Sequence, residues 1–290
     1  MHFRTIGAVA VAALAAACGK EKAAPPPDAT PTAADSSAPT AAAAPQVAAY
    51  TATDYAFDGP SVTPAGPTRF TLTNRGKEPH HLVVIRIEQG RTFDSLLAAL
   101  KHPDKPPRWA HPIGGPNGVS PALEANAEVT LTPGNYAIVC FVPSTDGVPH
   151  LAKGMVRPLT VTPSERQAAA SSPDLTMDLV DYDFKLSAPL TAGTRTVRVA
   201  NKASQLHEVV VVRLEPGKTM KDMFAWEMSG RKGAAPGRYV GGMSPIAPGD
   251  TADFTMPFET GQYALICFVS DAKDGKLHAM HGMLKTLTVS

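Results

Sequence analysis

The sequence predicts an all-β protein built from two tandem β-sandwiches, each with one short helical insertion, and three observations predict it. First, the chain repeats itself at an offset of 127 residues, so that His80 and Cys140 recur as His207 and Cys267. Second, apolar and polar residues alternate in short segments, which is the period of a half-buried strand. Third, continuous apolar runs rich in β-branched residues, such as HLVVIRI from His81, suit strands buried in a sandwich.

The repeat also predicts how the 290 residues are divided. Two domains of ordinary size are expected, the first over residues 47–163 and the second over residues 173–290. The segment SERQAAASS at 164–172 is predicted to be a short linker between them. Residues 19–46 are mostly Ala, Pro, Thr and Ser, and such a segment cannot bury a core. We therefore expect residues 19–46 to form a disordered tether.

The first 18 residues are predicted to be a signal peptide that ends at Cys18. Arg4 supplies a positive charge, Ile6–Leu14 an apolar stretch, and Ala15–Ala17 the small residues before the cysteine. Small residues before a cysteine resemble the lipobox of bacterial lipoproteins, which implies lipidation of Cys18. Plain secretory cleavage after Ala17 is the alternative. Both predict an extracytoplasmic protein, and lipidation predicts one anchored to the bacterial cell envelope, facing the periplasm or the cell surface.

Charge and cysteine usage restrict the partners. The net charge is +1, from 27 Lys and Arg against 26 Asp and Glu, which argues against nucleic-acid binding and against a polybasic membrane patch. A lipid anchor is therefore the only membrane contact expected. Of the three cysteines, Cys18 is assigned to the lipid, while Cys140 and Cys267 occupy equivalent positions in separate domains. Single thiols in exported domains suggest metal ligation, because an oxidising compartment normally favours paired cysteines.

One helix is predicted in the middle of each repeat, over Thr92–His102 and over Thr219–Met228. Each begins with a threonine that can cap the first turn. Turn formers such as Thr132-Pro133-Gly134 separate the predicted strands.

Each repeat carries a quartet of residues that could bind a metal. One thiolate, two imidazoles and a weak thioether make up the ligand set of a blue-copper electron-transfer site, so one copper is expected in each domain. Only between the cysteine and the second histidine does the offset change, from 127 to 128 residues. The quartets are His80, Cys140, His150 and Met155 in the first repeat, and His207, Cys267, His278 and Met283 in the second.

The segments around these quartets resemble plastocyanin-type cupredoxins. The spacing of Gly134, Tyr136 and Cys140 resembles the strand that enters that family's copper loop, and PHLAKGM at 149–155 resembles the end of the loop. The second repeat ends similarly, with HAMHGM at 278–283. The resemblance covers both domains and implies Greek-key β-sandwiches with type 1 copper. It also implies an electron carrier that meets a redox partner protein.

The sequence departs from the family in two places. Nine and ten residues separate the cysteine from the second histidine in the two repeats, more than is usual, although Asp146-Gly147 and Asp274-Gly275 could form tight turns there. The family's asparagine after the first histidine, which steadies the ligand loops, is replaced by His81 and Glu208. His81 and the spare His281 are expected to be solvated rather than ligating.

Three other functions compete with the electron carrier. A copper chaperone or buffer would use the same ligands, and a metal-free cupredoxin fold could serve as a structural or partner-binding module. An enzyme is not expected, because oxidases and nitrite reductases of this fold place a histidine beside the type 1 cysteine and use His-x-His pairs. Here the neighbours of the two cysteines are Val139, Phe141, Ile266 and Phe268.

Overall fold

The structure is a computed structural model that describes residues 44–101, 107–165 and 171–290. The signal segment, Cys18, most of the tether and the middle of the linker lie outside these ranges, as does His102 at the end of the first predicted helix. The described residues contain seventeen strands and two α-helices, which confirms the all-β class and the single helix in each repeat.

Among the described residues the strands recur in the same order in the two repeats, except that β3 of the first repeat has no counterpart in the second. The strands of the first repeat are β1 (Gln46–Thr53), β2 (Ala56–Asp58), β3 (Val62–Pro64), β4 (Gly66–Asn74), β5 (Val83–Ile87), β6 (Ala110–Pro112), β7 (Glu124–Leu131), β8 (Gly134–Val139) and β9 (Val156–Thr162). Those of the second are β10 (Leu175–Val180), β11 (Asp183–Leu186), β12 (Gly193–Asn201), β13 (His207–Leu214), β14 (Gly237–Ile246), β15 (Thr251–Phe258), β16 (Gly261–Ile266) and β17 (Leu284–Val289).

Three sheets form two sandwiches with one sheet in common. The first repeat has a five-stranded sheet, β3-β9-β8-β5-β6, and the second a four-stranded sheet, β14-β13-β16-β17. The eight-stranded sheet β11-β10-β12-β15-β7-β4-β1-β2 takes four strands from each repeat. The two halves of this sheet meet where β15 runs antiparallel to β7, with Asp253 opposite Glu128.

The core lies between the shared sheet and the smaller ones. On β4 the buried side chains alternate, so that Phe70 and Leu72 face inward as the sequence predicts. They belong to one apolar cluster with Ile138 of β8 and with Cys140, which directly follows β8, so the strand that leads to the cysteine forms a wall of the core.

The two α-helices explain why β5 and β13 are apolar on both faces. Leu96 of the first helix packs with Val83 and Ile85 on the outer face of β5, and Met223 of the second helix packs with Val210 on β13. Both faces of these strands are therefore buried, which removes the alternation expected of a half-buried strand. Among the described residues no helix is both long and apolar enough to cross a membrane. The helices are α1 (Phe93–Leu100) and α2 (Met220–Met228).

Each helix begins where the sequence predicts. Thr92 and Thr219 are the N-caps, and each forms a capping box with the residue three positions later. These residues are Ser95 in α1 and Asp222 in α2.

A buried seam joins the repeats close to the predicted ligands. The amide of Ser244 donates to the carbonyl of Gly115 at 2.9 Å, and the amide of Gly241 donates to that of Gly118 at 3.0 Å. Gly115 and its counterpart Gly242 have φ of 127° and 117°. A Cβ on Gly115 would lie 2.2 Å from the Leu82 carbonyl oxygen, so only glycine permits this close approach.

Candidate metal centres

Two buried clusters bring the predicted histidines and cysteines together. The first centre consists of His80, Cys140 and His150, and the second of His207, Cys267 and His278. In each centre the candidate ligand atoms all lie within 4.8 Å of one another.

A repeated asparagine shapes the loop that presents the first histidine. The Asn74 carboxamide donates to the carbonyls of Glu78 and Val119, both at 2.8 Å, and its oxygen accepts from the Gly76 amide. Asn201 makes the equivalent bonds to the carbonyls of Gln205 and Ile246. These bonds satisfy the loop's backbone groups and hold the loop in one conformation. His80 and His207 therefore each come directly after a loop of fixed shape.

A repeated tyrosine anchors the start of each cysteine strand. The Tyr136 hydroxyl donates to the Thr132 carbonyl at 2.8 Å and accepts from the Thr132 amide at 3.1 Å. Tyr263 forms the same pair of bonds with Glu259. The Gly-x-Tyr spacing seen in the sequence is thus a tyrosine corner that closes the turn before the strand.

The second histidine and the methionine follow the cysteine on a loop tied down by its own backbone. The amide of His150 donates to the Val142 carbonyl at 2.9 Å, and the amide of Met155 donates to the His150 carbonyl at 3.0 Å. The amide of Cys140 in turn donates to the Met155 carbonyl at 3.1 Å. The same three bonds recur in the second repeat. A short 3₁₀ helix carries each second histidine, over His150–Lys153 and His278–His281.

The extra residues between cysteine and histidine form small turns that project from the loop. An isolated β-bridge pairs Pro143 with Pro149, and another pairs Ser270 with Leu277. Gly147 and Gly275 lie at the tips with φ of 81° and 72°, a conformation that favours glycine. The insertions therefore leave the ligand-bearing parts of the loops together, as the Asp-Gly pairs predict.

The distances in the first centre place three donor atoms around one point. The Cys140 Sγ lies 3.5 Å from the His150 Nδ1, which lies 3.1 Å from the His80 Nδ1. All three residues are fully buried. Met155 is buried in the same apolar cluster as Cys140.

The second centre has the same arrangement. The Cys267 Sγ lies 3.4 Å from the His278 Nδ1 and 3.8 Å from the His207 Nδ1. All three residues are fully buried, and Met283 joins Cys267 in the apolar cluster. In both centres the Nδ1 atoms face the thiol.

Carboxylates hold the outer nitrogens of some of these imidazoles. In the first centre the His150 Nε2 lies 2.8 Å from the Glu78 Oε2, and in the second the His207 Nε2 lies 3.2 Å from the Asp181 Oδ1. An acceptor at Nε2 places the proton there and leaves Nδ1 with a free lone pair. The carboxylates therefore favour the tautomer that a metal needs. The sequence analysis predicted no role for Glu78 or for Asp181, although Asp181 begins a segment, Asp181-Tyr182-Asp183-Phe184, that repeats Asp54-Tyr55-Ala56-Phe57 at the offset of 127 residues.

Burial sets the protonation of both centres. Burial raises the pKa of the Cys140 thiol to about 12. Burial and the nearby Glu208 also raise the pKa of Cys267. Burial lowers the pKa of His80 to about 4 and that of His278 to about 4. At neutral pH the metal-free centres thus hold neutral imidazoles and protonated thiols.

The residues that replace the family's asparagine have an observable role. The Phe141 amide, next to Cys140, donates to the His81 Nε2 at 2.8 Å. The Phe268 amide donates to the Glu208 Oε1 at 3.0 Å. The expectation that His81 is solvated is wrong, because it lies in the core and is needed as an acceptor. His281 is exposed, as expected, and pairs with Asp274.

The donor set fits copper. In each centre one sulfur and two imidazole nitrogens converge, and no carboxylate of the described residues joins the group, a set that suits copper and is poor for Mg²⁺ or Ca²⁺. The His80 Nε2 and the His278 Nε2 have no hydrogen-bond partner among the described residues.

No protein-family model matches the chain, and a search of curated proteins finds no match. Among solved structures it is similar to auracyanin from Roseiflexus castenholzii, with a TM-score of 0.28 and 19% identity over 42% of this chain and 100% of that one. Auracyanin A from Chloroflexus aurantiacus matches with a TM-score of 0.30 and 16% identity over 41% of this chain and 99% of that one. The blue copper oxidase from Nitrosomonas europaea matches with a TM-score of 0.27 and 13% identity, over 84% and 86%. Similarity at this level does not indicate what the chain binds or catalyses, which depends on the residues of its own metal centres.

These neighbours contradict the expectation that the chain is not an enzyme. Besides the blue copper oxidase they include multicopper oxidases and copper nitrite reductases. The expectation used the residues beside Cys140 and Cys267 to exclude a whole class of protein. That exclusion was wrong: the residues beside the two cysteines do not rule out copper enzymes, a class to which many of the similar structures belong.

Proposed function

We propose that the chain binds one copper in each repeat and carries single electrons to or from a redox partner protein. The observation that carries the proposal is the twofold convergence of a buried thiol and two imidazoles, with all candidate ligand atoms of a centre within 4.8 Å. The expected ligands are the two quartets named above, with Met155 and Met283 as weak axial ligands. When bound, copper would supply a one-electron redox couple.

The protein's own residues suit this role. The ligands extend from strand ends and hydrogen-bonded loops, so the centres are held in one shape by the sandwich. Burial of all six imidazole and thiol ligands excludes water from both centres. A site that changes little between oxidation states favours rapid electron transfer, because little reorganisation is needed.

Membrane anchoring is a separate part of the proposal. Lipidation at Cys18 would tether both centres to the bacterial cell envelope on its outer side, with residues 19–46 as the spacer. We expect Cys18→Ser to release the protein from the membrane fraction or to leave its precursor uncleaved. Fractionation of cells that express the parent and the variant tests this. A variant that matures and sediments with membranes as the parent does would show that the lipoprotein assignment is wrong.

Metal content and the visible spectrum of the full chain test the copper assignment. We expect two copper ions per chain and an intense thiolate-to-copper absorption after loading with Cu(II). The absorption should disappear on reduction and return on oxidation. A colourless Cu(II)-loaded protein whose Cys140 and Cys267 still react with a thiol reagent would refute the proposal and favour a metal-free structural or partner-binding module.

A copper chaperone or buffer is the competing function, and transfer experiments separate it from an electron carrier. An electron carrier keeps its copper through repeated oxidation and reduction. A chaperone passes Cu(I) to a competing chelator or to an acceptor protein within the time of mixing. We expect the metal content to remain constant through redox cycling, because all six imidazole and thiol ligands are fully buried.

A further inference from the structure

A buried hydrogen-bond chain joins the two centres across the seam between the repeats. Asn117 belongs to the first repeat, is fully buried, and donates from Nδ2 to the Glu208 Oε2 of the second repeat at 3.0 Å. Its segment is paired with that of His81 through the backbone, because the Leu82 amide donates to the Pro116 carbonyl at 2.9 Å and the His80 amide donates to the Val119 carbonyl at 3.1 Å.

Each end of this chain stops one residue from a predicted cysteine ligand. His81 follows the ligand His80 and holds the amide of Phe141 at 2.8 Å. Glu208 follows the ligand His207 and holds the amide of Phe268 at 3.0 Å. The chain therefore runs from the amide after one cysteine to His81, through the paired backbone of the two segments to Asn117, and through Glu208 to the amide after the other cysteine.

Asn117 is held firmly enough to transmit position. Its Nδ2 also lies 3.0 Å from the Met243 carbonyl oxygen and 3.3 Å from that of Val209, and its Oδ1 accepts from the Gly118 amide at 2.8 Å. The counterpart of Asn117 in the second repeat is Ser244, whose shorter side chain reaches only the Pro116 carbonyl. The link is thus made by one asparagine that spans the seam, without a symmetric second copy.

We propose that Asn117 is a positioning residue shared by both metal centres, so that metal bound in one repeat changes the structure around the cysteine of the other. The inference depends on the proposed function for its metal, but the shared positioning is a property of the metal-free chain as well. The physical basis is that the groups of a buried hydrogen-bond network in a closely packed seam have no water to replace a lost partner. A small displacement of one group therefore displaces its neighbours as well.

The test uses the full chain labelled with ¹⁵N-phenylalanine, which contains ten phenylalanines, so that the Phe141 and Phe268 amides can be followed separately. In the metal-free protein, Asn117→Ala should shift both amide resonances and speed their hydrogen exchange several-fold. Asn126→Ala is the matched control, because Asn126 also links the repeats, through two hydrogen bonds to the backbone of Thr255. We expect it to leave both amides in place.

The experiment with metal uses Cu(I), which is diamagnetic, and the Cys267→Ser variant. This variant keeps the thiol of the first repeat and lacks that of the second. One equivalent of Cu(I) should shift the Phe268 amide in the second repeat. Adding Asn117→Ala should abolish that shift, whereas adding Asn126→Ala should preserve it. Glu208→Gln breaks the chain at its other end without changing its volume, and it should abolish the shift too.

The outcomes separate the two proposals. If Cu(I) does not bind, the proposed function fails, while the metal-free shifts still decide whether Asn117 positions both centres. If Asn117→Ala leaves either amide unchanged in the metal-free protein, or if the Cu(I) response of Phe268 survives the substitution, the inference is overturned. If Asn117→Ala does not fold, Glu208→Gln decides, and survival of the response in that variant overturns the inference.

Discussion

The two centres have the same ligands but different carboxylate partners. In the first centre Glu78 contacts the second histidine, His150, and in the second centre Asp181 contacts the first histidine, His207. The side chain of Glu78 is 17% exposed and that of Asp181 is 47% exposed. The first centre therefore has the more sheltered and shorter charged hydrogen bond, and we expect it to be held more rigidly.

The negative charge at the second centre has moved to a different position. Gln205 stands where the first repeat has Glu78, and Asp271 stands where the first repeat has Ser144. Asp271 accepts from the Tyr182 hydroxyl and from the Gln205 amide, and its Oδ2 lies 3.8 Å from the His278 Nε2. These hydrogen bonds, chiefly that of Tyr182, lower the pKa of Asp271. The second repeat thus has a carboxylate near its second histidine, His278, but lacks the direct hydrogen bond that Glu78 makes to His150 in the first repeat.

Among the changes that test the difference between the two centres, removal of either thiol is expected to have the largest effect on copper binding. Cys140→Ser should remove about half of the bound copper and of the colour, and Cys267→Ser the other half, because each variant loses its strongest ligand with little change in core volume. Copper analysis and absorption spectra of the two variants measure this. Loss of all the copper in one variant would indicate a single site shared between the repeats, and loss of none would show that the repeat carries no metal.

The carboxylates are expected to have a smaller effect, and an unequal one. Glu78→Gln should weaken copper binding in the first repeat by about 10- to 100-fold, because the amide orients His150 less strongly than the carboxylate does. Asp181→Asn should weaken the second centre by less, since Asp181 is more exposed. Competition titrations in the two Cys→Ser backgrounds assign each effect to its repeat.

The matched control for these substitutions is Glu88→Gln. Glu88 lies 2.7 Å from the Nε2 of His111, a surface pair that reproduces the contact without a predicted ligand. It should leave both copper affinities unchanged. Equal losses of copper affinity from Glu78→Gln and Asp181→Asn would show that the difference in burial between the two carboxylates does not affect copper binding.

The pH dependence of copper binding should be similar at both centres. The raised thiol pKa values mean that each centre must lose a proton from its cysteine to bind copper, while its imidazoles are already neutral at pH 7. Affinity should therefore rise with pH, by about tenfold per unit near neutrality. Calorimetry in buffers of different ionisation enthalpy should give close to one proton released per copper. Release near zero would mean that the thiols are already ionised without metal.

The sequence alone determined the local structure of both repeats. Thr92 and Thr219 predict the helix starts, because capping depends on residues within one turn. The Gly-x-Tyr spacing before Cys140 and the Asp-Gly pairs in the ligand loops predict turns for the same reason. The ligand quartets could be recognised because they recur at a nearly constant offset, which chance does not produce four times over.

Tertiary structure alone decided what the repeats share. The joint sheet through β7 and β15, the partner of Glu78, and the burial of His81 depend on contacts between residues 60 or more positions apart. Asn117 has no marker in the sequence, because its counterpart is a serine and its partner lies 91 residues away. Periodicity and capping report short-range backbone preferences, whereas the bonds that join one centre to the other exist only where the two repeats pack along the seam.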